Sequence, residues 1–314
     1  MSEKKIIVVV GATGAQGGGL VRAILADASG GLAVRAVTRN AASDKALELA
    51  AQGAEVVVAD IGDESALAKA FEGAYGAFLL TNFWEHGSPE KEKQQAAAMA
   101  RAAKAAGLRH VIWSTLDDTR EHIPIDDERM PTLMGTYKVP HFDAKAEANQ
   151  LFTDAGVPTT FLQTTFFWEN LIGPMAPQRD KDGNLTLALA MADSKLAGIA
   201  VEDIGKTAYG IFKRGTELVG RTVSIAGEHL TGTEMAAVLT KVLDEPVTYV
   251  PVPFDVLRAQ EWPGAEESAN MFQFYAEVPE YVDIRDLDFV RSLHPGLQTF
   301  EQWTQEHKDA FPRV

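Results

Sequence analysis

Within "VPHFDAKAE", residues 139–147, a histidine and a lysine stand four places apart. Pro140 suits the first turn of a helix, and the interval between His141 and Lys145 then puts both side chains on one face. Two kinds of chemistry follow from such a pair. A cationic amine holds hydroxyl groups and lowers the pKa of a neighbouring acid, while a neutral imidazole polarises a carbonyl by hydrogen bonding. Two local influences favour the neutral ring here: the ammonium of Lys145 and the positive end of the helix itself. The plainer alternatives are a helix-face histidine bonded to a nearby carbonyl and a solvated surface lysine.

A second stretch supplies a place for a ligand. "VVVGATGAQGGGL" sets Gly11, Gly14 and Gly17 after an apolar run and at the head of a helical one, in GxxGxxG spacing. Glycines there allow a tight turn, backbone approach to a pyrophosphate, and close packing of helix on strand. The helix N-terminus then offers N–H groups and positive potential to phosphates. A glycine-rich turn with no ligand is the competing reading. The next strand end, "VTRN", carries a guanidinium where NAD binders need a carboxylate. Arg39 can fork onto a 2′-phosphate with Thr38 adding a hydroxyl and Asn40 following, so NADP(H) is the expected cofactor. Asp44 is expected to cap the next helix.

Further strand ends complete the candidate crevice. Asp60 closes the third, as an adenine-edge residue or a turn residue. "TNFW" closes the fourth, with Thr81 and Asn82 bordering pyrophosphate and ribose. Phe83 and Trp84 either wall the nicotinamide side or pack inward. After the sixth, "FFWENL" sets three aromatics before Glu169 and Asn170, an arrangement suited to a nicotinamide amide or to plugging a core. "GKT" at 205–207 resembles a P-loop ending but lacks the glycine spacing and the preceding strand. Histidines 86, 110, 122, 229, 294 and 307 have no ligand spacing, and no metal is expected.

These residues need a scaffold, and the order of elements supplies one. "KIIVVV" (5–10), "AVRAVT" (33–38), "EVVVAD" (55–60), "GAFLLT" (76–81), "HVIWST" (110–115) and "TTFLQT" (159–164) read as strands with helical runs between. Several are apolar throughout, as strands covered on both faces are. The alternation predicts an α/β fold, a Rossmann-type doubly wound parallel sheet, with a smaller α+β C-terminal domain. The expected division is 1–165 for the NADP-binding domain and 166–314 for an interleaved substrate or lid domain, the strand near 222–227 rejoining the first. Residues 117–137 form a long polar loop at the carboxyl end of the sheet, of the kind that is functional or mobile. "TGTEMAAVLTKVLD" reads as a helix opened by a Thr231–Glu234 capping box, and the stripe Met271, Phe272, Phe274 and Tyr275 as core more than pocket.

Composition narrows the class. Among 314 residues, 44 are acidic and 29 basic, and the net charge of −15 disfavours direct nucleic-acid contact. There is no cysteine, hence no thiolate nucleophile and no cysteine-held metal. The opening apolar run is too short for a signal peptide and no stretch reaches spanning length, so a cytoplasmic protein with no membrane contact is expected.

Taken together, "GATGAQGG", "VTRN", "TNFWE", "VPHFDAKAE", "FFWENL", "NMFQFY" and "LQTFEQWTQEHK" resemble the NmrA-like family of atypical short-chain dehydrogenase relatives. The resemblance runs from about residue 5 to the C-terminus. It implies a Rossmann domain with a small C-terminal domain, NADP(H) binding and often no demonstrable turnover. Members are described as sensors of cytosolic redox state acting through protein partners, or as reductases of quinones and similar compounds. Carried onto this chain, cofactor contacts fall on Gly11, Ala12, Thr13, Gly14, Ala15 and Gln16, on Arg39, and on Asp60 and Ile61. Others fall on Thr81, Asn82, Phe83 and Lys145, then on Phe167, Trp168, Glu169 and Asn170.

The wider short-chain dehydrogenase pattern is similar at three further places. It has tyrosine where His141 stands, lysine at Lys145 and an assisting serine at Ser114. There the lysine orients the nicotinamide ribose and lowers the tyrosine's pKa, and the phenol exchanges a proton as hydride moves. A neutral imidazole is a weaker donor, so the departure at His141 weakens that chemistry without excluding it. Basic residues of some members fall on Gln94, Ser43 and Asp44, which implies a weaker hold on the 2′-phosphate. The expectation is an NADP(H)-binding redox-sensing regulator with little or no turnover, monomer or dimer, with a regulatory protein partner. The alternative is an NADPH-dependent reductase acting on quinones or small carbonyl compounds.

Overall fold

The computed structural model describes residues 4–27 and 29–311. The chain forms two compact units. The first takes the residues up to Asp118, then Ala144–Thr164 and Val201–Val223; the second takes Thr119–Asp143, Thr165–Ala200 and the chain from Ser224 onward.

In the first unit strands and helices alternate: β1 Lys5–Val9, α1 Ala15–Ala26, β2 Leu32–Thr38, α2 Asp44–Ala51, β3 Glu55–Val58 and α3 Glu64–Phe71. There follow β4 Gly76–Leu79, α4 Pro89–Ala105, β5 His110–Thr115, α5 Pro140–Asp154, which counts in this unit from Ala144 on, and β6 Thr159–Gln163. Helix α6, Val201–Lys213, also belongs here. The sheet runs β3-β2-β1-β4-β5-β6, parallel at each of these pairings, and a short strand at Thr222–Ser224 extends it beyond β6. That order is the doubly wound one, in which ligands lie beyond the carboxyl ends of the strands.

Polar caps punctuate the helices. Ser88 caps α4 with Pro89 at its first position, and Asp63 caps α3 by accepting from the N–H groups of Ser65 and Ala66. One expectation is corrected at α2: the cap is Ser43, whose hydroxyl accepts from Ala46 N, while Asp44 sits in the first turn. A hydroxyl one residue earlier reaches the same N–H with the extended backbone a cap requires.

The core of this unit packs Val8, Val10, Leu79, Val111 and Trp113 against Phe71, Ala96, Met99, Ala103 and Phe152. Each large side chain so enclosed contributes about 1.5–3 kcal/mol by leaving water. Alanines on α4 let the helix backbone approach closely. Helices α1 and α6 meet more tightly still, since a Cβ on Gly19 would stand 2.7 Å from Glu202 O and one on Gly205 2.2 Å from Leu20 N. The "GKT" glycine is thus a helix-crossing contact.

The second unit holds β7 Phe166–Phe167, β8 Gln178–Arg179, β9 Leu185–Leu189 and β10 Leu196–Ile199. The Thr222–Ser224 strand is β11, followed by β12 Glu228–Leu230, α7 Gly232–Leu243 and β13 Val247–Pro251. Two three-stranded sheets result, β12-β10-β7 and β13-β9-β8. The Thr231–Glu234 capping box opens α7. Five helices complete the unit: α8 Phe254–Arg258, α9 Ala265–Glu277, α10 Glu280–Asp283, α11 Leu287–Leu293 and α12 Phe300–Glu306. Phe272, Phe274 and Tyr275 of α9 are buried.

The polar segment before α5 is held by one buried carboxylate. Asp143 accepts from Thr119 N (2.9 Å), Thr119 Oγ1 (2.6 Å), Lys138 N (2.8 Å) and Val139 N (3.1 Å). Lys138 Nζ donates to the carbonyls of Asp127 and Met130, and Asn270 Nδ2 of α9 donates to those of Pro131 and Lys138. A long loop can be fixed in this way because its backbone groups find partners inside the protein. No helix among the described residues is long and apolar enough to cross a membrane.

Candidate functional site

The glycine turn lies at the carboxyl end of β1. Gly11 has φ +67°, which a side-chain-bearing residue rarely adopts. A Cβ on Gly17 would sit 2.5 Å from Gly11 O, so the first turn of α1 presses directly on the backbone of the turn. Gly14, the N-cap, has no side chain to accept the first N–H groups of α1. A helix start left without a side-chain cap offers its N–H groups to an anion such as a pyrophosphate, and the missing Cβ atoms leave backbone exposed to it. The residues present therefore fit a dinucleotide. Ser114, buried at the end of β5, donates to Gln16 Oε1 at 2.8 Å, which joins the fifth strand to this turn.

Lys145 sits one helical turn after His141 on α5 and is only 12% exposed. Its ammonium donates to Thr81 O (2.9 Å) and Thr81 Oγ1 (2.7 Å) and pairs with Glu92 Oε1 at 2.5 Å. Thr81 Oγ1 in turn donates to Glu92 Oε1. An ammonium has three N–H groups, and all three are engaged. Burial pushes the Lys145 pKa below its ordinary value, and the Glu92 carboxylate opposes that shift. The second oxygen of Glu92, itself fully buried, has no hydrogen-bond partner and lies 3.5 Å from His86 Nε2, likewise unbonded. Ser88 N donates to His86 Nδ1 at 3.1 Å, so in the neutral ring the proton sits on Nε2, facing Glu92.

At the neighbouring strand ends Arg39, Asn82 and Glu85 are exposed. Arg39 follows β2, and its guanidinium forks onto Glu85, Nη1 to Oε2 at 2.9 Å and Nη2 to Oε1 at 3.0 Å. Asn82 Nδ2 reaches the same carboxylate at 3.3 Å. Thr38 Oγ1 accepts from Asn40 N at 3.2 Å, and Asp60 Oδ1 accepts from Gly62 N at 2.7 Å, so both residues shape their own turns. Ile61 is half-buried beside Asp60. Phe83 packs inward, whereas Trp84 is 57% exposed.

In the second unit His141 is held by an acid 126 positions away in the chain. Glu267 Oε1 accepts from His141 N at 2.7 Å and lies 2.6 Å from His141 Nδ1. A carboxylate is an acceptor only, so Nδ1 carries a proton. The "FFWENL" residues divide. Trp168 is enclosed by Gly198, Gly227, Phe300 and Trp303. Glu169 accepts from Trp303 Nε1 at 3.0 Å, and Phe167 and Asn170 are half-buried.

Three acids were missed by sequence reasoning. Glu92 was detectable, because it falls in phase with Ala96, Met99 and Ala103 on the buried stripe of α4. Glu267 likewise shares a face of α9 with Met271 and Phe274. A charged residue in phase with an apolar stripe signals a buried partner. Glu85 gives no such sign.

A sheet in this order, with a glycine turn after its first strand, defines a Rossmann-type dinucleotide-binding class of protein. Within that class the chain belongs to the NmrA-like family, whose model matches residues 3–304. It is 29% identical to an NAD(P)H azoreductase from Xenophilus azovorans, covering 98% of this chain and 99% of that one. It is also 29% identical, over 98% of its length and 99% of the relative's, to a (4-alkanoyl-5-oxo-2,5-dihydrofuran-3-yl)methyl phosphate reductase from Streptomyces griseus. A solved structure of NmrA, a negative transcriptional regulator, in complex with NAD is similar with a TM-score of 0.80 at 25% identity. That match covers 97% of this chain and 95% of the other.

Proposed function

We propose that this chain binds NADP(H) along the carboxyl edge of its Rossmann sheet and acts as a redox-sensing regulator with little turnover. The pyrophosphate would lie on the first turn of α1 and the 2′-phosphate against Arg39. The solved NmrA complexes with NAD and with NADP support a nicotinamide dinucleotide as the ligand. The observation that carries the regulatory reading is the saturation of Lys145, whose three donors are all taken by Glu92 and Thr81. Such an amine acts as a fixed buried charge, with no N–H to spare for a ribose hydroxyl or for activating an acid. An imidazole, already bonded through Nδ1, stands in place of a phenol.

A reductase is the second reading, and the His141–Glu267 pair favours it. An acid on Nδ1 fixes the ring's orientation and tautomer, as second partners do in sites where a histidine moves protons. The relatives named as an NAD(P)H azoreductase and a (4-alkanoyl-5-oxo-2,5-dihydrofuran-3-yl)methyl phosphate reductase point the same way.

Calorimetric titration with NADPH, run beside NADPH oxidation over a panel of quinones, aldehydes and azo compounds, separates the two. Binding without turnover is expected. Turnover that is lost in His141→Phe would overturn the regulatory reading in favour of the reductase.

A further inference from the structure

The ion pair between Arg39 and Glu85 occupies the place where the proposed function puts the cofactor's extra phosphate. Arg39 extends from the end of β2, and Glu85 ends a single 3-10 turn, Phe83–Glu85, that follows β4. In the sheet β1 lies between those two strands, so the pair reaches across the carboxyl end of β1 in the same plane of loops as the glycine turn. Both terminal nitrogens of the guanidinium are used, each on one carboxylate oxygen. The carboxylate is held on its own side by Asn82 Nδ2, and the turn is anchored by the buried ring of Phe83 and by Glu85 N donating to Asn82 O at 3.2 Å.

We propose that Glu85 is a specificity-determining residue, an internal carboxylate that competes with the 2′-phosphate for the guanidinium fork of Arg39. The proposal rests on the placement of the 2′-phosphate given above. A guanidinium already engaged through both nitrogens cannot grip a phosphate in the same fork, and a dianionic phosphate is repelled by the carboxylate it displaces. NADP(H) must therefore open the pair, whereas NAD(H), lacking the phosphate, leaves it closed. Glu85 narrows the preference for NADP(H) and makes the strand-end turn move with the identity of the nucleotide. Exposure of Arg39 and Glu85, 69% and 45%, keeps the pair weak enough to be displaced.

Adenosine 2′,5′-bisphosphate and AMP isolate the 2′-phosphate from the nicotinamide. Calorimetry with both probes is run on the full chain, on Glu85→Gln, on Arg39→Gln and on the double variant, all surface changes that leave the core untouched. Removing the competitor should tighten the bisphosphate by about five-fold, the upper range for an exposed pair, and leave AMP within about two-fold. In the Arg39→Gln background the same change at Glu85 should alter bisphosphate binding by less than about two-fold. No gain in Glu85→Gln overturns the proposal. An equal gain with Arg39 absent also overturns it, by reducing Glu85 to simple repulsion. If Arg39→Gln by itself leaves the ratio of the two probes unchanged, the placement of the phosphate is wrong, and the competition falls with it.

Discussion

Replacing Glu92 by glutamine tests the buried pair that fixes Lys145. The amide keeps the shape of the side chain and can still accept one bond, but the ammonium loses the opposite charge it is paired with. Removing one member of a buried ion pair costs about 3–5 kcal/mol, because the remaining charge stays dehydrated. Lys145 keeps two bonds to Thr81, so the expected loss is near the lower end, about 3 kcal/mol, read by urea unfolding at pH 7. Glu92→Gln combined with Lys145→Met should recover most of this and lie within about 1 kcal/mol of the native protein. The pH dependence supplies an independent check. Burial holds the Lys145 pKa below 10.5 in the folded state, and Glu92 opposes that shift, so its removal lowers the pKa further. Between the folded pKa and 10.5 the unfolded chain binds more protons, and stability therefore rises with pH. The Glu92→Gln variant should gain more stability than the native protein as pH rises toward 10.5. A loss under about 1 kcal/mol with no steeper pH dependence would refute the reasoning.

Arg39→Glu should weaken NADPH binding at least about ten-fold while changing NADH binding little, and equal losses of both would count against the assigned role. His110 is buried in β5, and its burial lowers the pKa from 6.5 to about 4. The stability contributed by the neutral ring is full above pH 6.5 and is lost as pH falls toward 4, by about 2 kcal/mol between pH 7.5 and 5. Denaturation midpoints of His110→Gln should show a correspondingly flatter acid limb; an unchanged slope would assign the acid sensitivity elsewhere. Gly205→Ala drives a methyl into the backbone of α1 and should destabilise the first unit by more than about 2 kcal/mol, measured by thermal unfolding. His141→Tyr returns the phenol of the wider dehydrogenase pattern but leaves Lys145 saturated, so NADPH oxidation should remain at background.

The sequence by itself determined the alternation of strand and helix, the glycine turn and the guanidinium after the second strand. Each is a local fact: apolar runs of strand length, a spacing of glycines, a residue type at a chain reversal. It also set His141 and Lys145 one turn apart on α5. What it left undecided was what each charge meets. Glu92 lies 53 positions before Lys145, and Glu267 lies 126 after His141. Only folding brings them within bonding distance. Arg39 reads as available in "VTRN" and is forked onto Glu85, 46 positions away, in the folded chain. Residues 117–137 read as a functional or mobile loop because their polar groups have no neighbours in sequence to bond, and the partners came from Asp143 and from α9. Periodicity acts over a few residues and survives in the bare chain. Charge pairing and hydrogen-bond satisfaction depend on distance in space, and that distance exists only after the chain has folded.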